Sequence, residues 1–189
     1  MKRRTVLRYS VYAAGGAALV PSFYSCKPET HPTGFVPTFF DKKEYDLICA
    51  ICDALLPETD TPGALTLEIP QFFDHMVGKV FQPSDHQRYK HDLNLLGRYL
   101  DQATGTGSFT SLSTEDQSAL LGDLESKWNN MESSDTDEKA AYYALRGQAI
   151  NYYLSTEYVG TELLSFLPIP GAYEPCISLE DVGGKAWAI

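Results

Sequence analysis

The stretch DKKEYDLICAICDALLP, residues 41–57, carries a helix start, an apolar face and a helix stop within seventeen positions. Asp41 followed by Glu44 is a capping-box pattern with an acid in place of the usual Ser or Thr. Ile48, Ile51, Cys52, Leu55 and Leu56 recur at i, i+3, i+4, i+7 and i+8, the spacing that lines up apolar side chains on one side of an α-helix. Pro57 cannot continue that helix. A chain that states start, face and stop this clearly is read here as helical, and the neighbouring segments are read by the same signals.

Thr61-Pro62-Gly63 is turn chemistry, with Pro fixing φ and Gly permitting φ > 0. Pro70 suits a first helical position, and the pairs Phe72/Phe73, Met76/Val77 and Val80/Phe81 then recur every four residues. Ser84-Asp85-His86-Gln87 reads as a second capping box, followed by a face of Tyr89, Leu93, Leu96 and Leu100 that Gly105 and Gly107 break. Ser113 with Asp116 opens a fourth helix with Leu120, Leu121, Leu124 and Trp128 facing inward. After a polar loop to Asp135, a fifth carries Tyr142, Leu145, Ala149 and Tyr153. Beyond about Gly160 the helical period is lost. LPIPGAYEPC, residues 167–176, holds three prolines and is expected to lie extended over the helices, held by Phe166, Tyr173 and Trp187. No segment alternates as a strand does. The expected fold class is all-α, a single domain of about five helices with an irregular, Pro-rich C-terminal arm.

Upstream, residues 1–25 read as an export signal. Lys2, Arg3, Arg4 and Arg8 form a basic start without an acid, and Val11 to Val20 is a short apolar run. A membrane-spanning helix needs roughly 20 apolar residues, so this run is too short for one. Arg3-Arg4-Thr5-Val6-Leu7-Arg8 resembles the twin-arginine consensus, with Val6 where Phe is usual; the alternative is an ordinary secretory signal that contains Arg-Arg. Ser25-Cys26 resembles a bacterial lipoprotein cleavage site, with Phe23 and Tyr24 departing from the usual residues. A lipidated Cys26 would hold the protein on a membrane, since each buried CH₂ contributes about 0.8 kcal/mol. The alternative is a spectator thiol near an ordinary cut. Residues 26–40 read as a tether, and 41–189 as the helical domain.

The chain has 189 residues and formal net charge −10. The first 25 residues contribute four bases and no acid, so the remainder carries −14. That balance excludes a nucleic-acid partner, whose phosphates demand a basic face. It also disfavours an anionic lipid surface apart from any acyl anchor. The cysteines are Cys26, Cys49, Cys52 and Cys176. Once Cys26 is set aside, one disulfide and one buried free thiol is the simplest pairing for an oxidising compartment.

Cys49-x-x-Cys52 invites a redox reading, but both positions fall mid-helix on the apolar side with no strand before them, so small core residues or a structural link is the simpler account. No second ligand pair stands at zinc spacing, and none of His31, His75, His86 and His91 lies in a metal motif. No nucleophile elbow, P-loop or dinucleotide fingerprint occurs. Glu58 and Asp60 solvate a turn or touch a partner. Tyr142, Tyr143, Tyr152, Tyr153 and Tyr158 are dense enough to fill a core and still present faces suited to an interface.

Two blocks carry a resemblance. ICDALLPETDTPGALTLEIPQFFDHMV, residues 51–77, resembles the start of the gluconate 2-dehydrogenase subunit 3 family, through Asp53, Pro57, Asp60, Pro62, Gly63 and Ala64. YYLSTEYVGTELLSFLPIPGAYEPC, residues 152–176, with GGKAWA at 183–188, is similar to the family's second block. There the matching positions are Tyr152, Tyr153, Glu157, Gly160, Pro168, Pro170, Gly171, Tyr173, Cys176, Ala186 and Trp187. The middle of the chain matches only as helices.

The resemblance implies a small, non-catalytic accessory subunit without a cofactor of its own. Its partner would be the large subunit of a flavin-dependent, GMC-type sugar or polyol dehydrogenase at the membrane, and FAD is expected there. The large subunit often lacks a signal, so one twin-arginine signal would export both chains folded. A cytochrome subunit is a further partner to expect, and a lipidated Cys26 departs from the best-known members and bears on whether that separate anchor exists. Other readings are an envelope lipoprotein that binds a sugar or a protein, and an enzyme using Cys49 and Cys52. For the disulfide, a Cys52–Cys176 bridge pinning the arm to the first helix is expected, with Cys49 as rival partner. Glu58, Asp60, Tyr173 and Trp187 are the candidate partner contacts.

Overall fold

The computed structural model describes residues 35–105, 107–130, 136–166, 171 and 176–187. The chain is all-α. Five α-helices follow one another: α1 (Lys42–Leu55), α2 (Ile69–His75), α3 (Pro83–Thr104), α4 (Thr114–Asn130) and α5 (Asp137–Leu154). Helix α2 runs on into a π-helical turn, Met76–Val80, and a second π-helical turn, Val159–Leu163, follows α5. Among the described residues there is no strand, only one isolated parallel bridge between Ser165 and Trp187.

The caps explain where the helices begin and end. Asp41 accepts from the Glu44 N–H at 2.8 Å, and Glu44 accepts from the Asp41 N–H at 3.0 Å, which completes the capping box. Pro70 lies in the first turn of α2, and Gly105, at φ +71, closes α3 in the left-handed conformation. The Ser113 hydroxyl accepts from the Asp116 N–H at 3.2 Å at the start of α4. The second capping box does not form. Helix α3 begins two residues earlier than that box would place it, at Pro83, with Gln82 before it and no side-chain cap. Proline's fixed φ suits the first helical position, and its missing N–H leaves one fewer donor to cap there.

Helix α1 is the centre of the domain. The sequence suggests one apolar face, yet Tyr45, Leu47, Ile48, Cys49, Ala50, Ile51, Cys52 and Ala54 are all buried. The reason is position: α1 packs against α2, α3, α4 and α5, so nearly every side of it is covered. Helices α3 and α5 pack on each other through Leu93, Leu96, Leu100 and Leu145. Helices α4 and α5 share an aromatic cluster, where Trp128 lies 5.3 Å from Tyr142 and 5.8 Å from Tyr99 between ring centroids. Two polar links fix α4 on α1: the Thr114 hydroxyl donates to Asp53 at 2.8 Å, and the Ser118 hydroxyl donates to the Ala54 carbonyl at 2.6 Å.

The C-terminal arm departs from expectation. Phe166 is 58 % exposed and Trp187 is 44 % exposed, so neither holds the arm to the helices. Tyr173, the third expected anchor, lies outside the described residues. Two hydrogen bonds join the arm's described stretches: the Ser165 N–H donates to the Ala186 carbonyl at 2.6 Å and the Lys185 ammonium to the Glu162 carbonyl at 2.5 Å.

Candidate functional site

The turn after α1 is built around two backbone contacts. The Ala64 N–H donates to the Leu56 carbonyl at 2.8 Å, which folds residues 57–63 back on the helix end. A Cβ on Gly63 would lie 2.6 Å from the Glu58 nitrogen and 2.9 Å from the Leu56 oxygen, so only glycine fits. The Tyr153 hydroxyl donates to the Pro62 carbonyl at 2.9 Å and ties the turn to α5. Glu58 and Asp60 are exposed, as a partner-facing turn requires, but the Glu58 carboxylate already accepts from the Thr66 hydroxyl at 2.7 Å. Pro62, Gly63 and Tyr153 therefore shape the turn, and Asp53 holds α4 through Thr114.

A second assembly holds the chain entering the domain. The Asp74 carboxylate, wholly buried on α2, accepts from the N–H groups of Thr38, Phe39 and Phe40 at 2.9, 2.9 and 3.0 Å, and from the Thr38 hydroxyl at 2.8 Å. Burial pushes this carboxyl up, but the four hydrogen bonds outweigh it and hold the group below its ordinary value. Gly78 leaves room for Phe39, whose Cβ lies 2.7 Å from where a Cβ at 78 would stand. The Lys90 ammonium donates to the Phe39 carbonyl at 2.9 Å, pairs with Glu44 at 3.1 Å and lies 4.6 Å from the centre of the Phe39 ring. Residues 38–40, read from sequence as the end of a tether, are a docked strap. Nothing in the spacing around Asp74 marks it for this task; it is the one acid of α2, IPQFFDH.

The cysteines are poor candidates for chemistry. Cys49 and Cys52 are completely buried, Cys176 is exposed, and all three are free thiols. Burial, with Asp46 and Asp53 nearby, pushes the Cys49 thiol up to about 12 although a hydrogen bond with Tyr45 pulls it down. Burial, then Cys49 and Asp53, raise Cys52 well above its usual value. Both stay protonated and unreactive in ordinary conditions. The expected Cys52–Cys176 bridge is not formed: both are free thiols, Cys52 wholly buried on α1 and Cys176 exposed. Cys49 is buried in the same way and does not replace it.

Two open grooves lie against α3. One, of about 570 Å³, lies between α1 and α3 and is lined by Lys43, Asp46, Asn94, Arg98 and Asp101 among others. The other, of about 290 Å³, lies between α3 and α5 over Leu93, Leu96, Ala141 and Leu145. Neither is lined by a histidine or a cysteine. Among the described residues no group of three or more His, Cys, Asp and Glu could hold a metal ion. No described helix is long and apolar enough to cross a membrane.

The family model described as gluconate 2-dehydrogenase subunit 3 matches residues 42–171, which include the helices and the turn after α1. The chain belongs to the gluconate 2-dehydrogenase subunit 3 family. No curated protein and no solved structure matches it significantly. The family name makes it a subunit of a dehydrogenase complex. The match begins at the first residue of α1 and ends at Gly171, so it spans all five helices and leaves residues 172–189 beyond it.

Of the residues singled out in the sequence, this subunit 3 chain exposes Glu58, Asp60, Cys176 and Trp187 and buries Cys52. Glu58 and Asp60 share the turn after α1, whereas Trp187 is joined to Ser165 in the C-terminal arm. Arg3, Arg4, Cys26 and Tyr173 lie outside the described residues.

Proposed function

We propose that this chain is the non-catalytic accessory subunit of a flavin-dependent, GMC-type sugar or polyol dehydrogenase. It escorts the FAD-bearing large subunit through twin-arginine export and supports it at the cell envelope. Membership of the subunit 3 family over residues 42–171 is the observation that carries the reading. The basic start with Arg3-Arg4 and its short apolar run adds the export part. Twin-arginine export carries folded proteins, which suits a partner that has already bound its flavin. Cys26, acylated, would be the anchor. The chain from Cys26 to the strap at Thr38 reaches at most roughly 40 Å, so the helical domain would stay close to the membrane.

Purification of the native protein in mild detergent tests this. A larger chain should come with it in fixed ratio, with bound flavin absorbing near its usual visible bands and with sugar- or polyol-dependent dye reduction. Recovery of the subunit alone, colourless and inactive, would contradict the reading and leave the envelope binding module in its place.

A further inference from the structure

The arm of residues 158–187 concentrates apolar surface that the domain does not use. Eight large apolar side chains are exposed among the described residues, and five of them, Tyr158, Phe166, Ile177, Leu179 and Trp187, lie in this arm. Its described stretches, residues 158–166 and 176–187, carry bonds of their own. The Ser165–Trp187 bridge ties the stretch that carries Phe166 to the stretch that carries Trp187. The Lys185 ammonium bonds the Glu162 carbonyl, and the Gly184 N–H donates to the Leu179 carbonyl at 2.7 Å, closing a loop over the 3₁₀ turn Glu180–Val182. The Ser178 hydroxyl accepts from the Asp181 N–H at 3.2 Å and starts that turn. These bonds clasp residues 158–166 and 176–187 together, so those stretches have less conformational freedom to lose on binding than a free chain. An exposed apolar group this large, held in place rather than buried, marks a contact surface.

Charge selects the occupant. Along the described stretches Glu157, Glu162, Glu180 and Asp181 stand against a single base, Lys185. An anionic lipid surface would be repelled by that rim. A second copy would bring the same acids to the same place, at a domain charge of −14. A different protein with apolar pockets and a rim of Lys or Arg fits both features. We infer that the clasp around the Ser165–Trp187 bridge is the surface on which the flavoprotein large subunit docks, with Phe166 and Trp187 as its anchors and Glu180 and Asp181 steering a basic rim. The inference rests on the accessory-subunit reading above and adds to it the face that makes the contact.

The test uses the full chain with its flavoprotein, identified by bound FAD and peptide masses. Phe166→Ser with Trp187→Ala should weaken capture of the flavoprotein about 100-fold, as loss of two central anchors does. Their exposure predicts an unchanged melting temperature for the subunit alone. Glu180→Lys with Asp181→Lys should weaken it about 10-fold at low salt and much less at high salt. A photo-crosslinking residue at position 187 should join the flavoprotein. The inference is overturned by wild-type capture in the double anchor variant, or by crosslinks from 187 to a second copy or to lipid. If the wild-type chain itself holds no flavoprotein, the accessory-subunit reading fails and the docking assignment falls with it. If wild type and variants hold it equally, only the docking assignment fails.

Discussion

The Asp74 carboxylate takes two hydrogen bonds from Thr38, one from its N–H at 2.9 Å and one from its hydroxyl at 2.8 Å. Two further N–H groups, of Phe39 and Phe40, complete the arrangement. A buried carboxylate surrounded by donors is stabilised in its charged form, and the donors would be orphaned without it. This junction fixes where the chain from the N-terminus meets the helices. Under the proposed function it would transmit the pull of a membrane anchor to the folded domain.

Asp74→Asn should therefore cost about 3 kcal/mol, because an amide cannot accept all four bonds and turns donors toward donors. For a domain of this size that is a fall in melting temperature of roughly 6–12 °C. The folded carboxyl value is lowered, so its contribution is fully present above the unfolded value of about 3.9 and is lost as pH falls through the folded value. Urea unfolding at several pH values checks both points: the gap between wild type and variant stays constant from neutral pH to about pH 4 and narrows only below it.

Two glycine-to-alanine changes should have opposite signs. Gly63→Ala drives a methyl group into the backbone at Glu58 and Leu56 and should destabilise by about 2–4 kcal/mol. Gly122→Ala, in the interior of α4 with nothing within 4 Å of the new Cβ, should stabilise by about 0.5–1 kcal/mol. Thermal melts of the two variants beside wild type decide it. Equal effects would mean that the turn after α1 yields more easily than its contacts suggest.

Thiol labelling should separate the cysteines by burial. In folded protein lacking the first 34 residues, Cys176 reacts quickly and Cys49 and Cys52 react only on unfolding. Their folded values are raised, so the stability they contribute is complete below the unfolded thiol value near 8.5 and falls as pH rises toward the folded value of about 12 for Cys49. Mass spectrometry of alkylated peptides reads the rates. Rapid modification of Cys49 or Cys52 at neutral pH would reopen the redox reading.

Much of this fold was legible in the chain, and the reasons are local. Asp41 with Glu44, Pro70, Gly105 and Ser113 mark helix ends through bonds between near neighbours, and they do so in the structure. The start of α3 is not legible in the same way, because Ser84 to Gln87 spell a capping box while Pro83, with its φ already fixed, opens the helix two residues before that box would. The burial of α1 on nearly all sides was not legible, since it depends on four other helices closing around it. Neither was the role of Asp74, whose partners lie some 35 residues away in sequence. The arm was read as pinned to the core by Phe166 and Trp187, because sequence shows that a side chain is apolar and not which surface it meets.

Cys26→Ala should move the protein from the membrane fraction into the soluble envelope fraction, and the flavoprotein with it, if one acylated cysteine is the anchor. Fractionation with labelled fatty acid checks this. Unchanged labelling in the variant would rule out Cys26 as the acylated residue.

The escort role is tested most directly by locating the flavoprotein in cells that carry Arg3-Arg4→Lys-Lys. Cytoplasmic and envelope fractions are compared by immunoblot for both chains and by flavin-dependent dye reduction. The account predicts that both chains and the activity are retained together in the cytoplasm. A large subunit that still reaches the envelope while this chain does not would contradict it.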